Sequence, residues 1–278
     1  MYEAFFEMQR TPFVRNIPPE YLYESADIAE VLARLEYVAN NRQFAVVTGM
    51  PGCGKSTLIR RFASSLSQQD FVILYLSDSK LTPRWFYKGM LDQLGIEAKF
   101  YRGDAKRQLQ KEIEILHGIH GKHVVCILDE AHLLEKETIE EFRFLLNYRF
   151  DSESPLALVL VGQNELWDKL KQQRYAAVRQ RIDLCCTLHP LDRAETERYI
   201  QSHLEYAGGR TDIFTDIALD AILKGSNGIP RTINRICEKS LAYAFQHGKR
   251  LIDEHTVFYV TEHELLENNI EPVSHLSG

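Results

Sequence analysis

The chain has 278 residues, of which 45% are apolar and 26% charged, and its net charge is −6. This length predicts one or two domains with a sizeable core, and the acidic balance excludes nucleic-acid binding through overall charge. The five cysteines are odd in number and form no Cys-x-x-Cys pair, which argues against a disulfide framework and favours a reducing cytoplasm. The sequence has neither an apolar run long enough to cross a membrane nor a signal peptide, so we expect a cytoplasmic protein without a membrane partner.

Apolar, β-rich runs alternate with helix-period segments over the first two thirds of the chain. The runs cover residues 44–48, 71–76, 124–128, 156–161 and, less clearly, 182–188. Their near-continuous apolar character is typical of parallel strands that are covered on both faces. Asp27 and Glu30 are spaced as an N-terminal box for a helix whose apolar stripe includes Ile28, Val31 and Leu35. We therefore predict an α/β fold built on a parallel sheet.

The pattern changes after about Pro190, where no further strand signal is found. Asp192, Thr215 and Asp253 are typical helix caps, and Pro230 is typical of a first helical position. We therefore divide the chain into an N-terminal segment (1–25), an α/β subdomain (26–189), an all-helical subdomain (190–264) and a polar tail (265–278).

A phosphate-binding motif directly follows the first predicted strand. It has the form GxxxxGK[ST] and consists of Gly49, Met50, Pro51, Gly52, Cys53, Gly54, Lys55 and Ser56. A helix-like stretch over 57–66 follows, and this strand–loop–helix context allows backbone N–H groups to surround phosphate oxygens. We expect Lys55 to reach the β- and γ-phosphates, Ser56 to bind Mg²⁺ and Thr57 to contact the α-phosphate. The sequence predicts that the chain binds a nucleoside triphosphate.

Two acidic residues end the buried strand predicted over 124–128. Asp129 is suited to hold Mg²⁺, and Glu130 is suited to polarise a water molecule for in-line attack. With Ala131 and His132 they spell the helicase tetrapeptide DEAH, but the chain is too short for the second nucleotide-binding-like domain of such a helicase. We interpret the tetrapeptide as a coincidence on a Walker B strand.

Further polar residues stand at positions where they can sense or complete a nucleotide site. Gln163 follows the strand over 156–161, where an amide can orient the attacking water or simply form a turn. Arg179 and Arg181 precede the fifth strand and can reach a neighbouring subunit's γ-phosphate, or form ordinary surface ion pairs. Arg231 begins a helix of the second subdomain, where a lid can meet nucleotide.

These motifs, in this order, resemble those of the AAA+ ATPases, and more narrowly those of the ExeA/GspA-type AAA family. The resemblance covers roughly residues 5–262. It rests on the two Walker motifs and on narrower matches, namely Pro12-Phe13, Tyr21-Leu22-Tyr23, the run 31–35, Val161-Gly162-Gln163 and Gly228-Ile229-Pro230-Arg231.

The resemblance implies a five-stranded parallel P-loop sheet with helices on both faces, followed by a small all-α lid. It also implies ATP and Mg²⁺ as cofactors, ATPase activity and self-assembly through shared ATP sites. It makes Gln163 sensor 1, Arg231 sensor 2 and Arg181 the arginine finger, with Arg179 as the alternative. Pro12-Phe13 would lie near the adenine.

The same resemblance leaves several functions open. Secretion-associated members carry a membrane span and a cell-wall-binding extension after the ATPase, and the sequence shows neither. Free-standing members resemble the transposon helper ATPases of the MuB, TnsC and IstB types, which assemble on duplex DNA and recruit a transposase. We expect this second function, with a ring or filament on DNA. A secretion-associated assembly ATPase without DNA affinity and a slow ATP-gated signalling switch are the alternatives.

One segment concentrates the basic residues that DNA binding requires. Residues 78–111 contain eight basic and four acidic residues, so this stretch carries +4 and the rest of the chain −10. The predicted contacts to DNA phosphates, which read no sequence, are Lys80, Arg84, Lys99, Arg102, Lys106 and Arg107. A solvated helix face is the alternative interpretation. Trp85-Phe86-Tyr87 would suit base stacking, but its spacing favours buried helix side chains.

Overall fold

A computed structural model describes residues 2–78, 81–146 and 154–265. Two compact units are present, one formed by residues 26–189 and one that joins the residues up to 25 with those from 190 onward. Lys80 and the predicted tail from residue 266 lie outside the described residues. Among the residues described, no helix has the length and apolar character that a membrane span requires.

The first unit contains the predicted parallel sheet. Its strands, within the described ranges, are β1 (Phe44–Gly49), β2 (Phe71–Leu76), β3 (His123–Leu128), β4 (Ala157–Gly162) and β5 (Leu184–Leu188). They are hydrogen-bonded in the order β2-β3-β4-β1-β5, and every pair is parallel. The five-stranded parallel fold is therefore confirmed. Because the strands are parallel, their carboxyl ends meet at one edge of the sheet, which is where ligands bind in such folds.

Two boundaries differ from the sequence prediction. β5 begins at Leu184, because the N–H groups of Arg181 and Ile182 still donate to turn carbonyls of Val178 and Arg179, at 3.0 and 3.1 Å. The prediction that Asp27 and Glu30 form an N-terminal box is wrong, since the helix that contains them already begins at Ala26. Asp27 lies 3.1 Å from His189, and Glu30 pairs with Arg34.

Helices cover both faces of the sheet, since every residue of β1 and β4 is buried. They are α2 (Ala26–Asn41), α3 (Lys55–Ser65), α4 (Pro83–Gln93), α5 (Arg102–Gly118), α6 (Lys136–Leu145), α7 (Asn164–Lys171) and α8 (Ala176–Arg179). The apolar side of α4 enters the core through Phe86, Tyr87, Met90 and Leu91, whereas Trp85 is 52% exposed. The expectation that Trp85 is buried with its two neighbours is therefore wrong, because it lies on the outer face of the helix.

The second unit is helical. It consists of α1 (Tyr2–Phe5), α9 (Arg193–Ala207), α10 (Asp216–Ser226), α11 (Pro230–Gln246) and α12 (Glu254–His263). The predicted caps are present: Asp192, Thr215 and Asp253 accept backbone N–H groups three residues later, at 2.7, 3.1 and 2.9 Å. Pro230 occupies the first turn of α11. Each cap accepts a bond from an amide that the helix itself leaves without a partner.

The N-terminal segment is part of this helical unit. The N–H groups of Gln9 and Arg10 donate to the carbonyl of Ala207, at 2.7 and 3.1 Å. Phe6, Met8 and Phe13 are buried in the same core as α9, α10 and α11, and the Phe13 ring stacks on His203 with 5.1 Å between ring centres. The segment is therefore held by backbone hydrogen bonds and apolar burial. That Pro12-Phe13 lies near an adenine stays a prediction.

Gly228 joins α10 to α11 in a conformation that requires glycine. Its φ is +70°, and a Cβ there would lie 2.1 Å from the carbonyl oxygen of Leu191. The two backbones meet closely because the Leu191 N–H donates to the Gly228 carbonyl at 2.8 Å. Gly228 thus fixes the start of α11 against the segment that leads into α9.

Candidate functional site

The phosphate-loop motif forms a turn between β1 and α3. Gly52 and Gly54 have φ values of +86° and +95°, which glycine adopts without strain. Gly54 is also the N-cap of α3, so no side chain caps this helix end. The amides of the first helical turn therefore face the loop, where the positive end of the helix dipole attracts an anion. At Gly49, the first residue of the motif, a Cβ would lie 3.1 Å from the carbonyl oxygen of Leu188, so a side chain there would be tightly packed.

Lys55 directs its charge into the loop. Its ammonium donates to the carbonyls of Gly49 and Met50, at 2.8 and 3.1 Å. Ser56 and Thr57 follow on the first turn of α3, with Ser56 exposed. Cys53 is buried, and burial raises the pKa of its thiol although the charge of Lys55 opposes the shift. The loop thus combines a cation, backbone donors and an accessible hydroxyl, which together suit phosphate oxygens and their metal ion.

The carboxylate of Asp129 is fixed at the end of β3. Its Oδ2 accepts the hydroxyl of Tyr75 at 2.8 Å, and its Oδ1 accepts the N–H of Glu130 at 2.8 Å. Burial, followed by the hydrogen bond to Asp129, raises the pKa of Tyr75 to about 12. Tyr75 therefore remains a neutral donor. No local sequence pattern points to Tyr75, because only the pairing of β2 with β3 brings it beside Asp129.

Asp129 and Ser56 supply carboxylate and hydroxyl oxygens, which are hard donors of the kind that Mg²⁺ prefers. Both follow strands whose carboxyl ends lie at the same edge of the sheet. The donor chemistry thus fits the predicted metal ion. Asp129 is 7% exposed, and its two hydrogen bonds set its orientation before any ligand binds.

Glu130 lies in a turn that contacts the end of β4. Its φ of +52° is unusual for a residue with a side chain, and half of that side chain is exposed. In the following turn, His132 Nδ1 lies 3.5 Å from Glu130 Oε2 and 3.5 Å from the backbone N of Gln163. One imidazole nitrogen thus lies between the carboxylate predicted to activate water and the residue predicted to orient it. The place of His132 in the tetrapeptide 129–132 gives no sign of this arrangement.

Two further features hold this turn against β4 and α7. A Cβ on Gly162 would lie 3.1 Å from the backbone N of His132, so the glycine permits the close approach. Lys169 donates to the carbonyls of His132 and Leu134, at 2.6 and 3.0 Å. Burial lowers the pKa of the Lys169 ammonium. The turn after Glu130 is therefore attached to the segment that carries Gln163 at several points.

The structure places the predicted arginines in different surroundings. Arg179 donates to the carbonyls of Leu170, at 3.4 Å, and Lys171 at the end of α7. Arg181 is half-buried in the turn before β5. Arg231 is exposed in the first turn of α11, in the helical unit. The arginine-finger and sensor assignments stay predictions.

The predicted DNA-contacting residues lie on and between α4 and α5. Arg84, Lys99, Arg102 and Arg107 are exposed, and Arg107 pairs with Asp104. We use the name α4–α5 surface for the exposed basic positions Arg84, Lys99 and Arg102, the half-buried Lys88, and the exposed rings of Trp85, Phe100 and Tyr101. Arg84 lies over the Phe100 ring at 4.4 Å, and Lys88 lies over the Trp85 ring at 4.8 Å.

Lys106 belongs to a buried network beneath this surface. Its ammonium is 3.1 Å from Oε1 of Glu141, which also accepts the hydroxyl of Tyr87 at 2.7 Å. Burial favours a higher pKa for the Glu141 carboxyl, but the hydrogen bonds from Tyr87 and Lys106 outweigh it and lower the pKa. Arg102 lies 3.7 Å from the same carboxylate. Lys106, with a side chain 24% exposed, therefore offers less charge to an external anion than Arg84 or Lys99.

Comparison with known proteins identifies related chains. Residues 38–170 match the AAA domain family. The chain is 34% identical over 257 residues to general secretion pathway protein A of Aeromonas hydrophila, an alignment that covers 91% of this chain and 46% of that protein. It is 26% identical over 205 residues to the Mu-like prophage FluMu DNA transposition protein B of Haemophilus influenzae, covering 72% of this chain and 67% of that protein. The chain thus spans about half the length of the first of these relatives.

A solved structure with a similar fold is the ORC2 protein of Aeropyrum pernix in its ADPNP–ADP complexes. The TM-score is 0.67 and the sequence identity 16%, over 94% of this chain and 72% of that one. At this identity the similarity bears on the fold alone.

Proposed function

We propose that this chain, an AAA+ ATPase of the ExeA and MuB type, assembles on duplex DNA when it binds ATP and regulates transposition by recruiting a transposase. ATP hydrolysis disassembles the complex, so the rate of hydrolysis sets how long the assembly stays on DNA. The partners are further copies of the chain, DNA contacted without regard to sequence, and the transposase. The biological output is a switch, although the chemistry is enzymatic.

The ATP chemistry is assigned to residues at one edge of the sheet. The loop 49–57 would hold the phosphates, and Ser56 and Asp129 would hold Mg²⁺, which when bound would neutralise charge on the transferred phosphoryl group. Glu130 accepts a proton from the attacking water, and Gln163 orients that water. Arg181 reaches the ATP of a neighbouring subunit and links nucleotide state to assembly. The distances of 3.5 Å from His132 Nδ1 to Glu130 Oε2 and to the backbone N of Gln163 support this assignment.

One observation carries the DNA part of the proposal. On an acidic chain, the exposed positive charges of Arg84, Lys99 and Arg102 lie together on the α4–α5 surface. Cations arranged in this way neutralise DNA phosphates, and the release of counterions favours binding. The relative named as a DNA transposition protein supports the same function.

The first experiment combines purified protein, duplex DNA and a non-hydrolysable ATP analogue. We expect rings or filaments on DNA by electron microscopy, and a DNA affinity that falls steeply as salt concentration rises. Assemblies that form equally well without DNA, or protein that binds no DNA, would contradict the proposal.

A matched pair of variants assigns the DNA contact to the α4–α5 surface. The double variant Arg84→Gln/Lys99→Gln removes two positive charges from it, and Lys136→Gln/Lys224→Gln removes two exposed charges elsewhere. We expect the first to weaken DNA binding and to reduce the salt dependence by about two released counterions. The second should bind DNA as the unmodified chain does. Equal effects of the two variants would refute a localised contact.

Glu130→Gln tests the link between hydrolysis and disassembly. The amide is uncharged and cannot accept the proton, so we expect hydrolysis to fall on the order of 10²- to 10⁴-fold while ATP still binds. Assemblies on DNA should then persist. A Glu130→Gln protein that stays monomeric at saturating ATP would contradict the model of ATP-driven assembly.

A second candidate function is an assembly ATPase in secretion, without DNA affinity. The 34% identity to general secretion pathway protein A favours it. It predicts ATPase activity that duplex DNA does not alter, and nucleotide-dependent assembly in the absence of DNA. The first experiment therefore separates the two candidates.

A further inference from the structure

Three aromatic rings of the α4–α5 surface are exposed to an unusual degree. Trp85 is 52% exposed, Phe100 69% and Tyr101 70%. The rings of Phe100 and Tyr101 touch edge to face, with 5.3 Å between ring centres. Large exposed rings that lie together on one surface indicate a contact with a partner.

Each part of this group is also placed beside a cation. Arg84 lies over Phe100, Lys88 lies over Trp85, and Arg102 directly follows Tyr101 at the start of α5. Arg84 and Lys88 are four residues apart on α4, so they face the same side of that helix. The rings and the cations therefore form one surface, to which a flat apolar group and an anion can bind side by side.

The loop that carries the two most exposed rings is held in place. Gln108 of α5 accepts the N–H of Lys99 at 3.1 Å and donates to the carbonyl of Glu97 at 3.0 Å. This single side chain therefore fixes the backbone just before Phe100 and Tyr101. The rings are presented by a positioned loop, which reduces the entropy lost when they bind a partner.

We infer that the α4–α5 surface stacks on DNA bases as well as contacting phosphates, and that the chain therefore prefers DNA whose bases are unpaired or unstacked. The inference rests on the proposed function and narrows its DNA substrate. Bases offer flat apolar faces beside phosphates, and aromatic side chains next to Arg and Lys are the usual means of binding them. In intact duplex these faces are covered by neighbouring base pairs, so only a distorted or opened site makes full use of the rings.

The arrangement of α4 favours DNA over an anionic membrane surface. A helix that lies in a lipid interface inserts one continuous apolar face. The apolar side chains of α4, such as Phe86 and Met90, are buried in the core instead. Arg84 lies over the Phe100 ring and Lys88 over the Trp85 ring, so each of these rings offers a base a stacking partner with a cation beside it.

The test compares DNA probes of equal length in the presence of a non-hydrolysable ATP analogue. Fluorescence anisotropy is measured with perfect duplex, with duplex carrying a central unpaired bubble, and with anionic phosphatidylglycerol vesicles as competitor. We expect the bubble duplex to bind roughly tenfold more tightly than perfect duplex, which corresponds to stacking on about one base. Vesicles should not compete.

Variants identify the rings that are responsible. Phe100→Ala/Tyr101→Ala should remove the preference for the bubble, so that bubble duplex and perfect duplex bind with equal affinity. The matched control is Tyr37→Ala, which removes a ring that is 62% exposed on α2 and should keep the preference. The emission of Trp85 should be quenched by the bubble duplex, and Trp85→Phe, which retains Trp167, should lose that quenching.

The outcomes separate the inference from the proposed function. If perfect duplex binds but the ring variants keep the bubble preference, base stacking is refuted and phosphate binding stands. If no DNA probe binds, the proposed function fails and the inference fails with it. Vesicle binding in place of bubble binding would overturn the inference in favour of a lipid partner.

Discussion

At the end of β3, the imidazole of His132 lies 3.5 Å from Glu130 and 3.5 Å from the backbone of Gln163. The turn that carries it is anchored by Lys169 and by the close approach that Gly162 permits. An imidazole in this position can hold the Glu130 carboxylate at a fixed distance from Gln163 at the end of β4. We therefore expect His132 to act through these two residues as a positioning residue.

His132→Ala should reduce kcat for ATP hydrolysis roughly 10- to 100-fold, because the Glu130 carboxylate, which we propose activates water, loses a fixed neighbour. The dissociation constant for ATP should stay unchanged, since the phosphate loop is untouched. Steady-state kinetics and fluorescent-nucleotide binding measure the two quantities. His132→Asn, whose amide can occupy the position of Nδ1, should restore most of the rate. A His132→Ala protein with an unchanged kcat would refute this role.

The sequence was sufficient to predict the strand, glycine turn and helix around Lys55, since the glycines and Lys55 are spaced within eight residues. It was not sufficient to find Tyr75 or the role of His132. Both depend on which strands are neighbours, and β2-β3-β4 pairing is set by contacts that are distant along the chain. The tetrapeptide at 129–132 is recognisable in the sequence, but it does not reveal how close His132 lies to Glu130 and Gln163.

At the scale of elements, helix starts were predictable where a capping side chain marks them. Asp192, Thr215 and Asp253 are such positions, because the cap acts within three residues. Asp27 was misassigned because acidic residues are also favoured inside the first turn, where they cap nothing. The four-residue helix α1 has too few positions for any periodic pattern.

Asp253 should contribute measurably to the helical unit through its cap. It accepts both the N–H and the hydroxyl of Thr256, at 2.9 and 2.7 Å. We expect Asp253→Ala to lower the free energy of unfolding by about 1 kcal/mol, and Asp253→Asn to retain most of it because asparagine caps equally well. Urea titration followed by circular dichroism measures the difference. Equal losses in both variants would argue against the cap as the cause.

Gly228 should be intolerant of any side chain. A methyl group there would lie 2.1 Å from the Leu191 carbonyl, at a φ of +70°. We expect Gly228→Ala to destabilise the helical unit by several kcal/mol, in the range of the larger single-site effects. Thermal unfolding should show a lower midpoint. Gly248→Ala provides the control, since Gly248 has a φ of +66° but a Cβ there would meet nothing within 4 Å.

At the scale of the molecule, buried His203 makes stability depend on pH. Burial lowers its pKa from 6.5 to about 4, and its Nδ1 has no hydrogen-bond partner among the described residues. The unfolded chain therefore binds a proton below pH 6.5 that the folded chain rejects. The contribution of His203 to the free energy of unfolding is fully present above pH 6.5. It falls by roughly 1.4 kcal/mol per pH unit between pH 6.5 and about pH 4.

His203→Phe should remove this part of the acid sensitivity. The phenyl ring can keep the stacking with Phe13 and Tyr199 and has no group to protonate. Urea unfolding at about pH 7.5 and about pH 5.5 should show an acid-induced loss that is smaller by roughly 1.4 kcal/mol in the variant. Identical losses in both proteins would mean that His203 is not the group responsible.

The sequence predicted the α/β and helical parts but not how the first residues are used. The segment up to residue 25 joins the helical unit, whose other elements begin beyond residue 190. No local pattern reveals such an arrangement, because Phe6 and Phe13 meet their partners only through contacts across most of the chain.

This divided unit has a consequence for synthesis on the ribosome. The segment up to residue 25 leaves the ribosome before the sheet, whereas its core partners Leu204 and Ile236 are translated after the complete sheet, on the order of 10 s later at ordinary elongation rates. During that interval Phe6, Met8 and Phe13 have no core to enter, whereas the sheet can already close. The apolar side chains of this segment therefore stay exposed to solvent while residues 26–189 can already fold. We expect chaperones to bind the segment until translation of the helical unit is complete.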